Sequence, residues 1–316
     1  MRAIMVRGDK QEPRLEWDTA PDPTPRTDEV IVNVRAAGVN RADLMQAKGV
    51  YPPPPGATDI LGLEMAGEVE GTGERVCALL PGGGYAEKAA VHRGMLLPLP
   101  ADWTFAQGAA VPEAWLTAYV NLFLEGGLTQ GETVLIHAGA SGVGTAAIQL
   151  AHDCGAQVLC TVGSDGKATR CVELGADFAY NYQQYDFARE TMTVTGGKGA
   201  DLILDCVGGS YLAQNISSLA RFGRLVNIGT LGGAKAELNL GALLMKRLRI
   251  IGSTLRSRQR QEHIAITRKF RELYWHKLTS GHFKILIDRT FPVQEAGEAH
   301  RYMAENRNTG KIVLVL

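Results

Sequence analysis

The sequence has no apolar run approaching the ~20 residues needed to cross a bilayer. It also has no block of like charge and no cysteine spacing suited to holding a metal. Lys and Arg number 33 and Asp and Glu 33, so the formal net charge is zero. Such a surface carries no electrostatic footprint for nucleic acid or an anionic membrane. The opening MRAIMVRGDK meets charge too early for the apolar core of a secretory signal. These absences predict a cytoplasmic protein with neither nucleic acid nor membrane as a partner. The five cysteines, Cys77, Cys154, Cys160, Cys171 and Cys206, are odd in number and include no CxxC. Neither a disulfide framework nor a structural zinc site follows from that pattern, and most of the five read as packing residues in apolar runs. What is present is ordinary for a soluble enzyme: 316 residues, 45% hydrophobic and 21% charged, enough chain for two domains.

The most informative stretch is 133–155, TVLIHAGASGVGTAAIQLAHDCG. Residues 133–138 suit a buried parallel strand. The run Gly139-Ala140-Ser141-Gly142-Val143-Gly144 allows a sharp turn and close approach to a ligand. Residues 145–151 resume as a helix whose N-terminal amides and dipole favour a pyrophosphate. The spacing is not the common G-x-G-x-x-G, and a purely structural turn is the plain alternative. Context favours a dinucleotide: 157–162 reads as the next strand, and Gly163-Ser164-Asp165 follows where a ribose is normally read.

Residues 1 to about 115 are rich in short strands and turn residues. Along 29–35, Val30, Val32 and Val34 fall on one face, and the proline clusters at 21–25 and 52–55 mark turns or extended chain. From about 116 the order alternates between strand and helix, which implies a parallel sheet. Strands are predicted at 201–207, 224–228 and 248–252, and helices at 212–221 and 240–247. A long amphipathic helix is predicted at 262–278, and 311–316 (KIVLVL) is read as a strand that returns to complete the first domain. No internal repeat or low-complexity segment is evident.

Several motifs carry a family resemblance. Residues 38–43 (GVNRAD), 60–64 (ILGLE), 81–87 (PGGGYAE), 112–117 (PEAWLT), 138–144 (AGASGVG), 205–210 (DCVGGS) and 301–314 (RYMAENRNTGKIVL) occur in order over nearly the whole chain. Together they resemble the medium-chain dehydrogenase/reductase superfamily. Within it the chain is most similar to the zinc-independent quinone oxidoreductases, in particular the tumour-suppressor-inducible NADPH quinone oxidoreductase branch. The resemblance implies an α/β fold, with a doubly wound Rossmann parallel sheet at 116–255. It also implies a discontinuous, β-rich, GroES-like catalytic domain at 1–115 and 256–316. Zinc-dependent members place a Cys where Asn40 stands and a His where Leu63 stands, so the resemblance implies no metal. The segment 67–76 is about ten residues shorter than its family counterpart.

Hydride transfer without a metal calls for an acceptor that is already electrophilic, such as a quinone or a conjugated carbonyl. The resemblance puts Asn40, Asp43 and Tyr51 beside the nicotinamide. Tyr51 would donate to a developing oxyanion or wall the site, while Asn40 and Asp43 read equally well as ties within their loop. It assigns NADPH to Tyr51, Thr117, Ser141, Gly142, Val143, Gly144, Gly163, Ser164, Lys167, Tyr182, Ile228, Gly229, Thr230, Leu231, Leu255 and Arg256. Ser164 and Lys167 suit the 2′-phosphate of NADPH. Asp165 argues for NADH unless it caps the following helix and points elsewhere. Arg256 is open between a phosphate contact and a bridge between domains. Residues 248–252 resemble the edge strand through which the superfamily forms a homodimer. The implied activity is NADPH-dependent quinone reduction. The alternatives are an enone or 2-alkenal double-bond reductase and a low-turnover, crystallin-like NADPH-binding protein.

Overall fold

A computed structural model describes all 316 residues. The chain forms two compact units, Met1–Leu116 with Arg256–Leu316, and Thr117–Leu255.

The second unit is built on six parallel strands. Their spatial order is Phe178–Asn181, Gln157–Val162, Thr133–Ile136, Ala200–Asp205, Leu219–Asn227 and Arg249–Gly252. Inner strands of such a sheet are covered on both faces, which is why Thr133–Ile136 is buried at every position and nearly all apolar. The chain leaves Thr133–Ile136, adds two strands on one side, then returns to add Ala200–Asp205 on the other. This reversal opens a crevice at the carboxyl ends of Thr133–Ile136 and its neighbour, the place where doubly wound sheets take ligands.

The first unit has a seven-stranded, mainly antiparallel sheet. The main path runs Ile287–Pro292, Lys311–Val315, Glu29–Val39, Glu64–Val69, Arg75–Leu79 and Leu97–Pro98, with Lys88–His92 also pairing with Glu29–Val39. The final strand lies against the third strand of the chain, with Ile312 opposite Val39, so the tail does complete this sheet. Val30, Val32 and Val34 all point into the core, as their alternation predicts. Ile4, Leu61, Tyr85, Phe291, Ile312 and Leu314 form part of one apolar cluster. The shortened segment is a tight hairpin joining Glu64–Val69 to Arg75–Leu79. Gly71 and Gly73 turn it with φ of 84° and 71°, a conformation L side chains resist.

Two elements differ most from expectation. The helix expected at 212–221 ends at Ser218, and Leu219–Asn227 is strand. Pairing with Ala200–Asp205 holds Leu219 and Leu225 in the core, and the bulge between these registers puts Phe222 at φ 66°. Tertiary pairing here overrides a locally helical pattern. The tail helix runs Arg260–Phe270, widens through a π-type stretch at Arg271–Trp275, and closes with His276–Thr279.

Candidate functional site

The turn after Thr133–Ile136 sits at the mouth of the crevice. Ser141 caps the helix Gly142–Asp153, its Oγ accepting the Gly144 N–H at 3.0 Å. No glycine of this turn has a left-handed backbone; that conformation belongs to Ala138, at φ 52°. The glycines serve close approach instead. A Cβ at Gly144 would lie 2.3 Å from the Ala138 carbonyl oxygen, and one at Gly139 would lie 2.8 Å from Cys160 Sγ. Ser141, Gly142 and Val143 remain half-exposed at the helix N-terminus, where free amides and the dipole suit an anion.

At the end of the next strand, Ser164 accepts the Lys167 N–H at 3.4 Å and so caps the helix Asp165–Glu173. Ser164, not Asp165, is therefore the cap. The Asp165 carboxylate instead accepts from Asn181 Nδ2 at 2.8 Å and Gln184 Nε2 at 3.3 Å, which turns it toward the neighbouring strand. Lys167 lies half-buried in the first turn of that helix. A Cβ on Gly163 would come within 2.8 Å of the Tyr182 hydroxyl, so this phenol lies across the strand end. Ile228 and Gly229 are half-buried beyond Leu219–Asn227, and Thr230 and Leu231 are exposed. Thr117 is buried with its Oγ1 unpartnered, and Leu255 is buried as well. The glycine cradle, the capped helix ends and the orphaned Thr117 hydroxyl are what a dinucleotide would require of this unit.

A buried polar chain, with no counterpart among the expected site residues, supports the crevice from below. His137 Nδ1 meets Thr161 Oγ1 at 2.9 Å and its Nε2 meets Asn215 Oδ1 at 2.7 Å. Asn215 Nδ2 donates to Asp205 Oδ2 at 3.1 Å, and Asp205 accepts the N–H groups of Val207 and Gly208. Burial pushes the His137 pKa down, which keeps the ring neutral. Four residues distant in sequence fix one turn, and no local spacing signals them.

In the first unit, Asn40, Asp43, Glu64 and Lys311 form a buried polar cluster. Lys311 Nζ contacts Glu64 Oε1 at 2.5 Å, Asn40 Oδ1 at 2.7 Å and the Val39 carbonyl at 3.0 Å. Asn40 Nδ2 donates to the same Glu64 oxygen at 2.8 Å. A Cβ on Gly38 would lie 2.1 Å from Glu64 Oε1, so the glycine before Asn40 makes room for the carboxylate. The amide of Asn40 is thus engaged at both ends. Asp43, expected beside the nicotinamide, is wholly buried. Its carboxylate accepts from the Asn40 and Gly62 N–H groups and the Tyr85 hydroxyl. Burial pushes its pKa up to about 6 against these hydrogen bonds. With both oxygens engaged inside the protein, the Asp43 carboxylate ties its own loop to Gly62 and Tyr85.

Arg256, left open between a phosphate contact and a bridge between domains, makes its bonds within the first unit. Its Nε and Nη2 donate to the Pro81 carbonyl at 3.0 and 2.7 Å, and Nη2 also donates to Gln46 Oε1 at 2.6 Å. The guanidinium therefore belongs to the first unit. Its carbon stands 5.4 Å from the centroid of the Tyr51 ring, and its Nη1 is buried without a partner. Tyr51 is half-exposed, with its pKa raised by burial and by the Glu113 charge. An unpaired buried N–H group beside a phenol is a donor set awaiting an oxygen.

Comparison with known proteins agrees with this architecture. Residues 142–269 match the family described as zinc-binding dehydrogenase, and residues 26–101 match the alcohol dehydrogenase GroES-like domain. The mouse quinone oxidoreductase is 30% identical over 331 residues, spanning 100% of this chain and 98% of that protein. A phenolphthiocerol/phthiocerol polyketide synthase of Mycobacterium tuberculosis is 33% identical over 304 residues. That match takes in 92% of this chain but only 14% of the synthase polypeptide. The quinone oxidoreductase of Thermus thermophilus, solved alone and with NADPH, superposes with a TM-score of 0.87 at 33% identity and full coverage of both chains.

Proposed function

From a chain that belongs to the medium-chain dehydrogenase/reductase family, with a full-length quinone oxidoreductase among its relatives, we propose an NADPH-dependent quinone oxidoreductase that works without zinc. The observation that carries this reading is the unpartnered, buried Arg256 Nη1 beside the Tyr51 ring. A carbonyl oxygen gains negative charge as it is reduced, and fixed donors in a dry setting stabilise that charge. Asn40 and Leu63 offer neither thiolate nor imidazole, and Leu63 is buried, so activation falls to hydrogen-bond donors.

The bound nucleotide would supply the hydride. The second unit would hold it through the Ser141–Gly144 turn, with Gly163, Tyr182 and the run Ile228–Leu231 along the strand ends. Ser164 and Lys167 would receive the 2′-phosphate, a reading helped by the Asp165 carboxylate being drawn away toward Asn181. A homodimer would form through the edge strand Arg249–Gly252, beside which Leu244 and Met245 are 74% and 80% exposed.

A second reading, reduction of the double bond of a conjugated carbonyl, keeps the same donor set, because an enolate oxygen needs the same stabilisation. The match to a segment of a polyketide synthase favours it. The test is NADPH and NADH consumption by chelator-treated protein with phenanthrenequinone, menadione and hexenal. Quinone turnover that prefers NADPH and survives chelation supports the lead reading. Turnover confined to hexenal moves the activity to double-bond reduction, and none with any acceptor refutes both.

A further inference from the structure

A donor stabilises a developing charge only from one fixed place, so Arg256 must hold a single orientation to serve the proposed reaction. The Pro81 carbonyl does not fix that orientation alone. It takes Nε and Nη2 on one oxygen, which leaves the guanidinium plane free to swing about that point. The second anchor is the side chain of Gln46, buried in the last turn of the helix Arg41–Ala47. Its Oε1 accepts from Arg256 Nη2 at 2.6 Å, and its Nε2 donates to the Asp59 carbonyl at 2.9 Å.

The Asp59 bond decides which way the amide faces. Flipped, it would set its NH2 against guanidinium N–H groups and its oxygen against a carbonyl, two like contacts in a buried place. Gln46 therefore presents an acceptor to Arg256. The bonds then close into a circuit. The Ile60 carbonyl, next to Asp59, accepts the Gly83 N–H at 2.8 Å, and Gly83 stands two residues beyond Pro81. Backbone supplies the rest of this circuit, and Gln46 and Arg256 supply its two side chains. Nη1, away from the edge that grips Pro81, is left buried without a partner, with the guanidinium carbon 5.4 Å from the Tyr51 ring centroid.

We infer that Gln46 is a positioning residue for the reaction, gripping Nη2 so that Arg256 Nη1 is aimed at the acceptor oxygen that gains charge. This rests on the reductase reading of the same site. Both ends of the Gln46 amide are taken within the protein, so its effect runs through Arg256. The rival role is to fasten the loop 48–59, which carries Tyr51, by the Asp59 carbonyl alone. Two substitutions separate these roles. Gln46→Met loses both bonds. Gln46→Glu keeps an oxygen for Nη2 and turns its other oxygen against the Asp59 carbonyl, so it preserves the aim and loses the fastening.

The test is kcat and KM for NADPH-dependent reduction of phenanthrenequinone and hexenal by wild type, Gln46→Met, Gln46→Glu, Arg256→Met and the double variant Gln46→Met with Arg256→Met. NADPH affinity of each is read in parallel by fluorescence titration. Gln46→Met should lower kcat about thirtyfold with NADPH affinity within about twofold. Gln46→Glu should stay within about fivefold of wild type, the deficit reflecting its charge beside the guanidinium. Arg256→Met should lose about a hundredfold in kcat, and adding Gln46→Met should cost less than about twofold more, because nothing remains to be aimed. A Gln46→Met loss that persists in full on top of Arg256→Met overturns the proposal and leaves the reductase reading intact. So does a Gln46→Met enzyme as fast as wild type, or a Gln46→Glu enzyme as slow as Gln46→Met. If Gln46→Met fails to fold, a Gln46→Glu enzyme more than about tenfold slower than wild type overturns it. No turnover by wild type with either acceptor overturns the reductase reading and this proposal together.

Discussion

Replacing Lys311 with Met tests the buried cluster most directly. Lys311 is 5% exposed and Glu64 0% exposed, so both charges have left water and depend on each other. The substitution keeps most of the side-chain volume but removes the three contacts of Nζ, to Glu64, Asn40 and the Val39 carbonyl. Breaking a buried pair from one side costs about 3–5 kcal/mol, because the remaining charge is stranded. Glu64 would keep the Asn40 amide and the Glu113 N–H as donors, which places the expected loss near the low end, about 3 kcal/mol. All four tryptophans, Trp17, Trp103, Trp115 and Trp275, lie in the unit that contains this pair. Tryptophan fluorescence in urea therefore follows that unit alone. With a slope of about 2 kcal/mol per molar urea, the midpoint should fall by about 1.5 M. Adding Glu64→Gln removes the stranded charge, so the double variant should regain about 1–2 kcal/mol relative to Lys311→Met. A midpoint shift below about 0.3 M for Lys311→Met would refute the reasoning. So would a double variant as unstable as the two single losses added together.

Lys167→Glu should weaken NADPH binding about tenfold, or about 1.4 kcal/mol, while leaving NADH affinity unchanged, as read by fluorescence titration. Equal losses for both nucleotides would show that Lys167 does not read the 2′-phosphate. Met245→Glu with Leu244→Glu should convert a dimer into a monomer in sedimentation velocity without lowering the melting temperature of the second unit, since both side chains are exposed in the single chain. A wild-type protein that sediments as a monomer at micromolar concentration refutes the edge-strand interface.

Much of the second unit was legible in the sequence because its signals are local. The strand Gln157–Val162 falls where it was expected, and the helix after the glycine run begins only a few residues early, at Gly142. Strand, turn and helix there are set by neighbours within a few residues. The misread boundary at 218–221 lies where pairing with Ala200–Asp205 outweighs local preference. In the site, Tyr51, Asp43 and Arg256 were named through the family resemblance, and the bonding of Asp43 and Arg256 was not legible.

Residue type and spacing within single elements were enough for the alternation of strand and helix and for the glycine turn, while the reading of Asn40 and Leu63 came from the family resemblance. Which charges meet was settled by packing. Lys311 joins Glu64 across 247 positions and Arg256 joins Gln46 across 210, separations with no periodicity to read. Packing also closes in the Asp43 carboxyl and leaves Arg256 Nη1 without a partner. Ionisation and hydrogen-bond capacity depend on the dielectric and the donors around a group, and these exist only once distant segments have come together.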